Sequence, residues 1–310
     1  MSKNTILYLV AKTHAGRVRE LNEDNFVATE HFNGTEWFLP KEFYTNPQEG
    51  SIAAVADGMG GTNAGEVASK IAIESVKEYF SKIDPAYYKE EKILSVLKNA
   101  ILHAHYSILK KVRKDPGLQN MGTTLIIGWI LNGKFYIAWC GDSRCYYYRP
   151  ATGLRQLSKD HSYVQALLDK GAINAEEAFF HPLNNIVTQS LGDSGRSPEP
   201  DTAILTLLKG DVLLLCSDGL NGMLTDKQME EIIKTDRENM DQCIDDLIEQ
   251  ANQAGGGDNI TVILSKVIDG EEPSAGDFGR RRLVRLLLLL FLLLVMGTLS
   301  FLFIHMGKRG

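Results

Sequence analysis

Apolar residues along the chain follow two rhythms. Short runs rich in β-branched and aromatic residues, the pattern of strands, occupy 5–11, 25–29, 52–56, 124–131, 135–140, 145–149, 203–207, 212–216 and 260–267. Apolar residues recurring at three and four, as Val67, Ile71, Ile73, Val76 and Phe80 do, predict helices over 64–80, 93–114, 225–234 and 240–254. Successive strands follow short turns such as Asn132-Gly133 and Gly141-Asp142-Ser143-Arg144, which implies antiparallel pairing, and the helices come in consecutive pairs. The expected class is therefore α+β in layers, not an alternating βαβ order. Residues 160–190 read as an insertion between strand regions, with a short helical stretch and a loop.

The C-terminal end departs from both rhythms. From Leu286 to Ile304 no side chain is charged, and at about 1.5 Å per residue such a stretch covers a hydrocarbon core of ~30 Å. A transmembrane helix is expected over 283–306, with a flexible tether at 269–282 and a tail at 307–310. Arg280, Arg281, Arg282 and Arg285 precede the helix and only Lys308 and Arg309 follow it. The positive-inside rule then leaves the preceding body in the cytoplasm, as part of a single-pass membrane protein. At the other end, the apolar stretch 6–11 is too short for a signal-peptide core and reads as a strand.

Composition narrows the class. Of 310 residues, 44% are apolar and 23% charged, a globular balance that removes collagen-like, disulfide-scaffold and wholly disordered readings. The formal charge is −6, yet residues 1–279 carry 27 basic and 39 acidic side chains, so the body is strongly acidic and nucleic acid is not an expected partner. Cys140, Cys145, Cys216 and Cys243 form no Cys-x-x-Cys pair and read as reduced thiols in an apolar core.

Candidate chemistry lies in acids at strand ends. Asp57 follows the run 52–56 and precedes Gly58-Met59-Gly60-Gly61; Asp218 follows 212–216 and precedes Gly219; Asp142 sits in the turn after 135–140. Glu23 and Asp24 stand at the entry of 25–29, and Asp258 at the entry of 260–267. In an antiparallel sheet the exit of one strand lies beside the entry of the next, so these acids can gather at one edge. Gathered carboxylates repel each other unless cations neutralise them, and oxygen ligands without Cys or His favour Mg²⁺ or Mn²⁺. Taken singly, each Asp-Gly is also an ordinary turn. Arg19, five residues before Asp24, can hold a phosphate shared with such ions, or can instead form a surface ion pair with Glu20 or Glu23. His103 and His105, two apart on one helix, point to different faces and are not expected to form a metal pair.

These residues occur in a familiar order: Gly16-x-x-Arg19-x-x-Asn22-Glu23-Asp24, Val55-Ala56-Asp57-Gly58-Met59-Gly60-Gly61, Gly122-Thr123-Thr124, Gly141-Asp142-Ser143-Arg144, Ser217-Asp218-Gly219-Leu220 and Gly257-Asp258-Asn259-Ile260-Thr261. Over about residues 5–268 the chain resembles the metal-dependent protein phosphatases of the protein phosphatase 2C type, in their bacterial form. The resemblance implies a catalytic domain at 1–268 with a four-layer α-β-β-α sandwich around a central antiparallel β-sandwich. It implies hydrolysis of phosphoserine and phosphothreonine on proteins by a two- or three-metal mechanism, with a metal-activated water and no covalent intermediate. Two Mn²⁺ or Mg²⁺ ions would share Asp57, with the Gly58 carbonyl, Asp218 and Asp258 completing their shells and Glu23 and Asp24 acting partly through water. Asp142 with Asp218 would hold a third, weaker ion, and Arg19 would bind the phosphate. The catalytic set it implies is thus Arg19, Asp57, Asp218 and Asp258.

The resemblance also marks 157–192, with Lys159-Asp160-His161 and His181-Pro182-Leu183-Asn184-Asn185, as a flap beside the site. Expected partners are phosphorylated proteins, including a Ser/Thr kinase or its targets, met by a monomeric catalytic body held at the membrane. Two departures stand out. Met59 takes the place where some animal members carry a His proposed as the acid for the leaving group. The stretch 31–50, with Phe32, Trp37, Phe38, Phe43 and Tyr44, is longer and more aromatic than a hairpin needs and reads as a surface loop or docking element. The rival functions are a membrane-tethered pseudo-phosphatase that binds phosphoprotein without turnover, and a small-molecule phosphatase using the same metals.

Overall fold

The computed structural model describes residues 5–29, 43–45, 50–60, 64–83 and 88–272. The strands are β1 (Ile6–His14), β2 (Asn25–Thr29), β3 (Phe43–Thr45), β4 (Ser51–Ala56), β5 (Gly58–Met59), β6 (Gly122–Thr123), β7 (Leu125–Leu131), β8 (Lys134–Cys140), β9 (Arg144–Arg149), β10 (Gly153–Gln156), β11 (Asp201–Thr206), β12 (Val212–Cys216) and β13 (Ile260–Asp269). The helices are α1 (Ala64–Phe80), α2 (Glu90–Lys114), α3 (Tyr163–Asp169), α4 (Ala175–Phe179), α5 (Asp218–Asn221), α6 (Asp226–Asp236) and α7 (Met240–Gln253). One large sheet runs β10-β9-β12-β13-β1-β3 and the other β11-β8-β7-β4-β2, β5 and β6 form a separate two-stranded sheet, and every paired neighbour is antiparallel.

The layers follow from a period of two read on both sides of each sheet. In β4, Ile52, Ala54 and Ala56 pack outward with α1 and α2, while Ala53 and Val55 turn inward between the sheets. In β12, Val212, Leu214 and Cys216 face α6 and α7, and Leu213 and Leu215 face the other sheet. Burial on both faces explains why these strands read as unbroken apolar runs. Phe80 of α1 meets Trp129 of β7 edge to face, with ring centroids 5.6 Å apart. On the opposite flank, Met229, Ile233, Ile244 and Leu247 cover Val10, Tyr146 and Val262. The two flanking cores and the one between the sheets make the four expected layers, and all four cysteines are buried free thiols.

The register brings the strand ends to one edge. Asn25 pairs with Ala56, so Asp24 and Asp57 leave the sheet side by side. Cys216 pairs with both Val262 and Arg144, which sets Asp218 beside the loop of Asp258 and the turn of Asp142. His14 pairs with Ile260, and the chain running on from His14 carries Arg19 to the same edge.

The differences from the sequence reading are short elements. β10 has no β-branched residue and is held by hairpin pairing to β9. Asp218 does not simply end a strand: it opens the four-residue helix α5. Within 31–50, Phe43–Thr45 is an edge strand on β1; 31–42 and 46–49 lie outside the described residues. So do 273–310, which hold the expected membrane helix and tail and most of the tether; the tether's expected start at 269 is instead ordered, since Asp269 ends β13 and Glu271 bridges Leu208. Among the described residues no helix is long and apolar enough to cross a membrane.

Candidate metal centre

Backbone contacts fix the acids before any side chain meets another. The Asp57 N–H donates to Thr124 Oγ1 (3.0 Å), and the Asp57 carbonyl accepts from Thr123 Oγ1 (2.8 Å) and the Thr124 N–H (2.9 Å). Thr124 Oγ1 lies 2.6 Å from Ser143 Oγ, which ties this strand exit to the turn carrying Asp142. The Gly122-Thr123-Thr124 motif is therefore a clamp on Asp57. Gly58 follows because a side chain there would strike the carbonyls of Gly65 and Glu23.

Asp24 is buried and accepts hydrogen bonds from Ser217 Oγ and Thr261 Oγ1, both at 2.7 Å. Ser217 precedes α5, yet its hydroxyl is spent on Asp24 and not on capping that helix. Asn259, also buried, holds the opposite loop. It accepts from the Glu23 N–H (2.8 Å) and donates to the carbonyls of Ala15 (3.0 Å) and Leu21 (2.9 Å). Its own N–H donates to Asp258 Oδ1 (2.9 Å). The loop bearing Arg19 is thus tied to the loop bearing Asp258 through one amide side chain.

The carboxylates lie close enough to perturb one another. Burial, then the charges of Asp24, Asp218, Asp142 and Asp258, push Asp57 well above the ordinary carboxylate range. Burial, then Asp218 and Asp160, do the same to Asp142. Asp24 rises to about 7, chiefly through burial, against the lowering effect of its two hydroxyl donors. Asp218 rises to about 6 through burial and Asp258, although a hydrogen bond with Asp57 and the charges of Arg19 and Arg144 oppose the rise. The structure therefore brings Asp24, Asp57, Asp142, Asp218 and Asp258 together. The Glu23 carboxylate lies instead against Gly65 at the first turn of α1, where the helix dipole favours an anion.

Arg19 takes neither of its expected surface partners. Its Nη2 donates to Asp258 Oδ2 at 2.7 Å, with the guanidinium half exposed. Behind this edge Arg144 forms a forked pair with Asp160 (2.7–3.0 Å) and donates to Tyr146 OH (2.8 Å), joining the acidic turn to the start of the 157–192 segment. That segment carries α3 and α4 and returns to the body where Leu191 bridges Thr123. His105 is buried and accepts from the Gly192 N–H (3.2 Å), and His103 lies 3.7 Å from Glu78, so neither belongs to the site.

The arrangement fits hard divalent cations. The donors are carboxylate and carbonyl oxygens, and Asp24 Oδ1 and Asp218 Oδ1 are buried without a hydrogen-bond partner. Among the described residues no three acidic, His or Cys side chains converge tightly enough to chelate an ion as they stand. The repulsion among them favours the protonated form of Asp57 and Asp218 while no cation is bound. Neighbouring positive charge would displace those protons and relieve the repulsion.

The family profile of protein phosphatase 2C matches residues 41–265. A serine/threonine phosphatase, stp, of Listeria monocytogenes is 38% identical over 253 residues, spanning 82% of this chain and 93% of that protein. The serine/threonine phosphatase Stp1 of Staphylococcus aureus superposes with a TM-score of 0.74 at 30% identity, covering 87% of this chain and 98% of that one. The catalytic domain of the phosphatase PstP, solved in complex with two manganese ions, superposes with a TM-score of 0.69 at 30% identity, covering 86% of this chain and all of that one.

Proposed function

The chain belongs to the protein phosphatase 2C family, and from that premise we propose that it removes phosphate from phosphoserine and phosphothreonine side chains of proteins. The observation that carries the reading is the edge where mutually repelling aspartates, Asp24 and Asp142 buried and Asp57 and Asp218 partly so, meet a half-exposed guanidinium. Mn²⁺ or Mg²⁺ is the cofactor, as the manganese complex of PstP supports. Asp57, the Gly58 carbonyl, Asp218 and Asp258, with Glu23 and Asp24 partly through water, would hold two ions, and Asp142 with Asp218 a third. When bound, the ions supply positive charge against the phosphoryl oxygens and a nucleophilic water at neutral pH.

The chain's own residues do the rest. Arg19 offers N–H donors to the non-bridging oxygens of the phosphate, and Asp258 aims it. Asn259 and the Thr123–Thr124 clamp hold both halves of the edge in place, so little reorganisation is needed when substrate arrives. The scheme needs no phosphorylated side chain. Turnover of a phosphothreonine peptide, a nucleotide and a sugar phosphate, compared in Mn²⁺, tests the substrate class: the peptide should be strongly preferred. Equal or better turnover of either small molecule would make this a small-molecule phosphatase, and binding without turnover a pseudo-phosphatase.

Arg19→Ala should lower kcat/KM for a phosphopeptide by roughly tenfold to a hundredfold, the usual cost of a lost charged hydrogen bond, mainly through KM. Steady-state kinetics on the variant check this, and unchanged constants would remove Arg19 from the site.

The membrane anchor is part of the same proposal and rests on the uncharged run 286–304 and its arginine-rich flank. A catalytic body tethered to the inner leaflet would meet membrane-bound Ser/Thr kinases or their targets at high effective concentration. The full-length protein should sediment with membranes and stay there in high salt, because the attachment is hydrophobic. Release by salt alone would refute a spanning helix.

A further inference from the structure

The 157–192 segment carries apolar side chains that lie outside the main cores, with Val164 buried within the segment and Phe180 largely exposed. Val164 and Leu168 of α3, Phe179 of α4 and the adjoining Phe180 belong to none of the three apolar cores. Phe180 is 75% exposed, and its ring stands edge to face with that of Phe179 at 5.0 Å. These four side chains form one wall of a cleft of about 700 Å³ whose other wall is Met223 and Leu224, between α5 and α6. Asp142, Asp218 and Asp258 line the same cleft, so its apolar part is continuous with the catalytic edge. A volume of that order is typical of ligand sites, which run from about 300 to 1,000 Å³.

We propose that this cleft is a specificity pocket for the phosphopeptide, taking an aromatic or branched aliphatic side chain that flanks the phosphorylated residue. The inference rests on the phosphatase reading and adds the class of sequence preferred. A phosphate held by Arg19 and by cations at the aspartates would leave the flanking peptide as the part of the substrate that can reach the apolar wall. A small phosphate ester would leave Leu168, Phe179 and Met223 facing water. The rim supports the same occupant: Arg144 is paired with Asp160, and of the other charged residues lining the cleft the acids Glu176 and Asp226 outnumber Lys227, a balance that disfavours an acidic side chain entering it. The forked Arg144–Asp160 pair neutralises the charge at the base of the segment and holds α3 near the opening.

The test is a peptide series in which leucine, phenylalanine, alanine or aspartate is walked through the positions on either side of one phosphothreonine, assayed with the full chain in Mn²⁺. One position should favour leucine or phenylalanine over alanine by roughly tenfold or more in kcat/KM, the discrimination an apolar pocket provides. Aspartate at that position should fall below alanine. Phe179→Ala and Leu168→Ala should each bring the leucine-to-alanine ratio towards one, whereas Phe179→Leu, which keeps an apolar wall, should preserve it. The ratio is read within one enzyme preparation and is insensitive to how much of a variant is folded. Equal turnover of all peptides would overturn the pocket and leave the phosphatase reading intact. Turnover of none would overturn that reading, and the pocket with it.

Discussion

Asp57→Asn is expected to lower kcat by roughly a thousandfold or more while making the metal-free protein more stable. Loss of one shared carboxylate removes charge that both ions would use, and a loss of about 4 kcal/mol of transition-state stabilisation corresponds to that factor. The stability gain comes from the same carboxylate. Asp57 is pushed well above the ordinary range by burial and by four neighbouring acids, so in metal-free protein at neutral pH its ionisation is opposed by everything around it. Asparagine keeps the shape and the clamped backbone, since the bonds to Thr123 and Thr124 are made by main-chain atoms. Opposite movements of kcat and metal-free Tm in one variant would be the signature of a site held against its own repulsion. A variant with near-normal kcat would remove Asp57 from the centre.

The second large effect is a dependence of metal-free stability on pH that runs against the usual direction for carboxylates. Asp24 and Asp218 rise from 3.8 to about 7 and about 6 in the folded chain, and Asp57 and Asp142 are also raised well above the ordinary carboxylate range. A carboxylate whose folded pKa is raised keeps its proton in the native state while the unfolded chain gives it up. Its stabilising contribution is complete below about pH 4 and is lost as pH rises through the folded value. The metal-free protein should therefore melt several degrees higher at pH 5.5 than at pH 7.5, most of the change arising between pH 4 and 7. Saturating Mn²⁺ should reverse the order, because the ion binds the ionised acids of the native state and gains affinity as they deprotonate. Thermal melts at the two pH values, with chelator and with Mn²⁺, give the four numbers required. A metal-free Tm that rises with pH across this window would mean that the acids are not coupled as described.

What the sequence makes legible follows the range of the forces involved. The bounds of α1 and β2 match the sequence pattern to the residue because α1 buries one regular face and β2 is a short apolar run buried on both sides. The strand-end acids are legible for the same reason: their place depends only on where a strand stops and on antiparallel order. Contacts between distant parts of the chain are not visible in the pattern. Arg19 reaches Asp258 across 239 positions, and Asn259 gathers Ala15, Leu21 and Glu23 from a similar distance. The motif Gly257-Asp258-Asn259 marks Asn259 as a place to look, but its role needs the fold. Helix α5 stays hidden because Asp218-Gly219 has the composition of a turn, and β10 because Gly-Leu-Arg-Gln carries no strand signal. The cleft beside the catalytic edge is hidden most completely. Its walls come from α3, α4 and the α5–α6 turn, and the apolar residues of α3 and α4 are too few to set a period.

The measurement that bears most directly on the central claim is phosphate release from a phosphothreonine peptide by chelator-stripped protein as Mn²⁺ is added back. The clustered aspartates and Arg19 require that the stripped protein be inactive and that activity return with Mn²⁺ to the level of the untreated enzyme. Full turnover in metal-free buffer would contradict the metal centre and, with it, the account of why these acids share one edge.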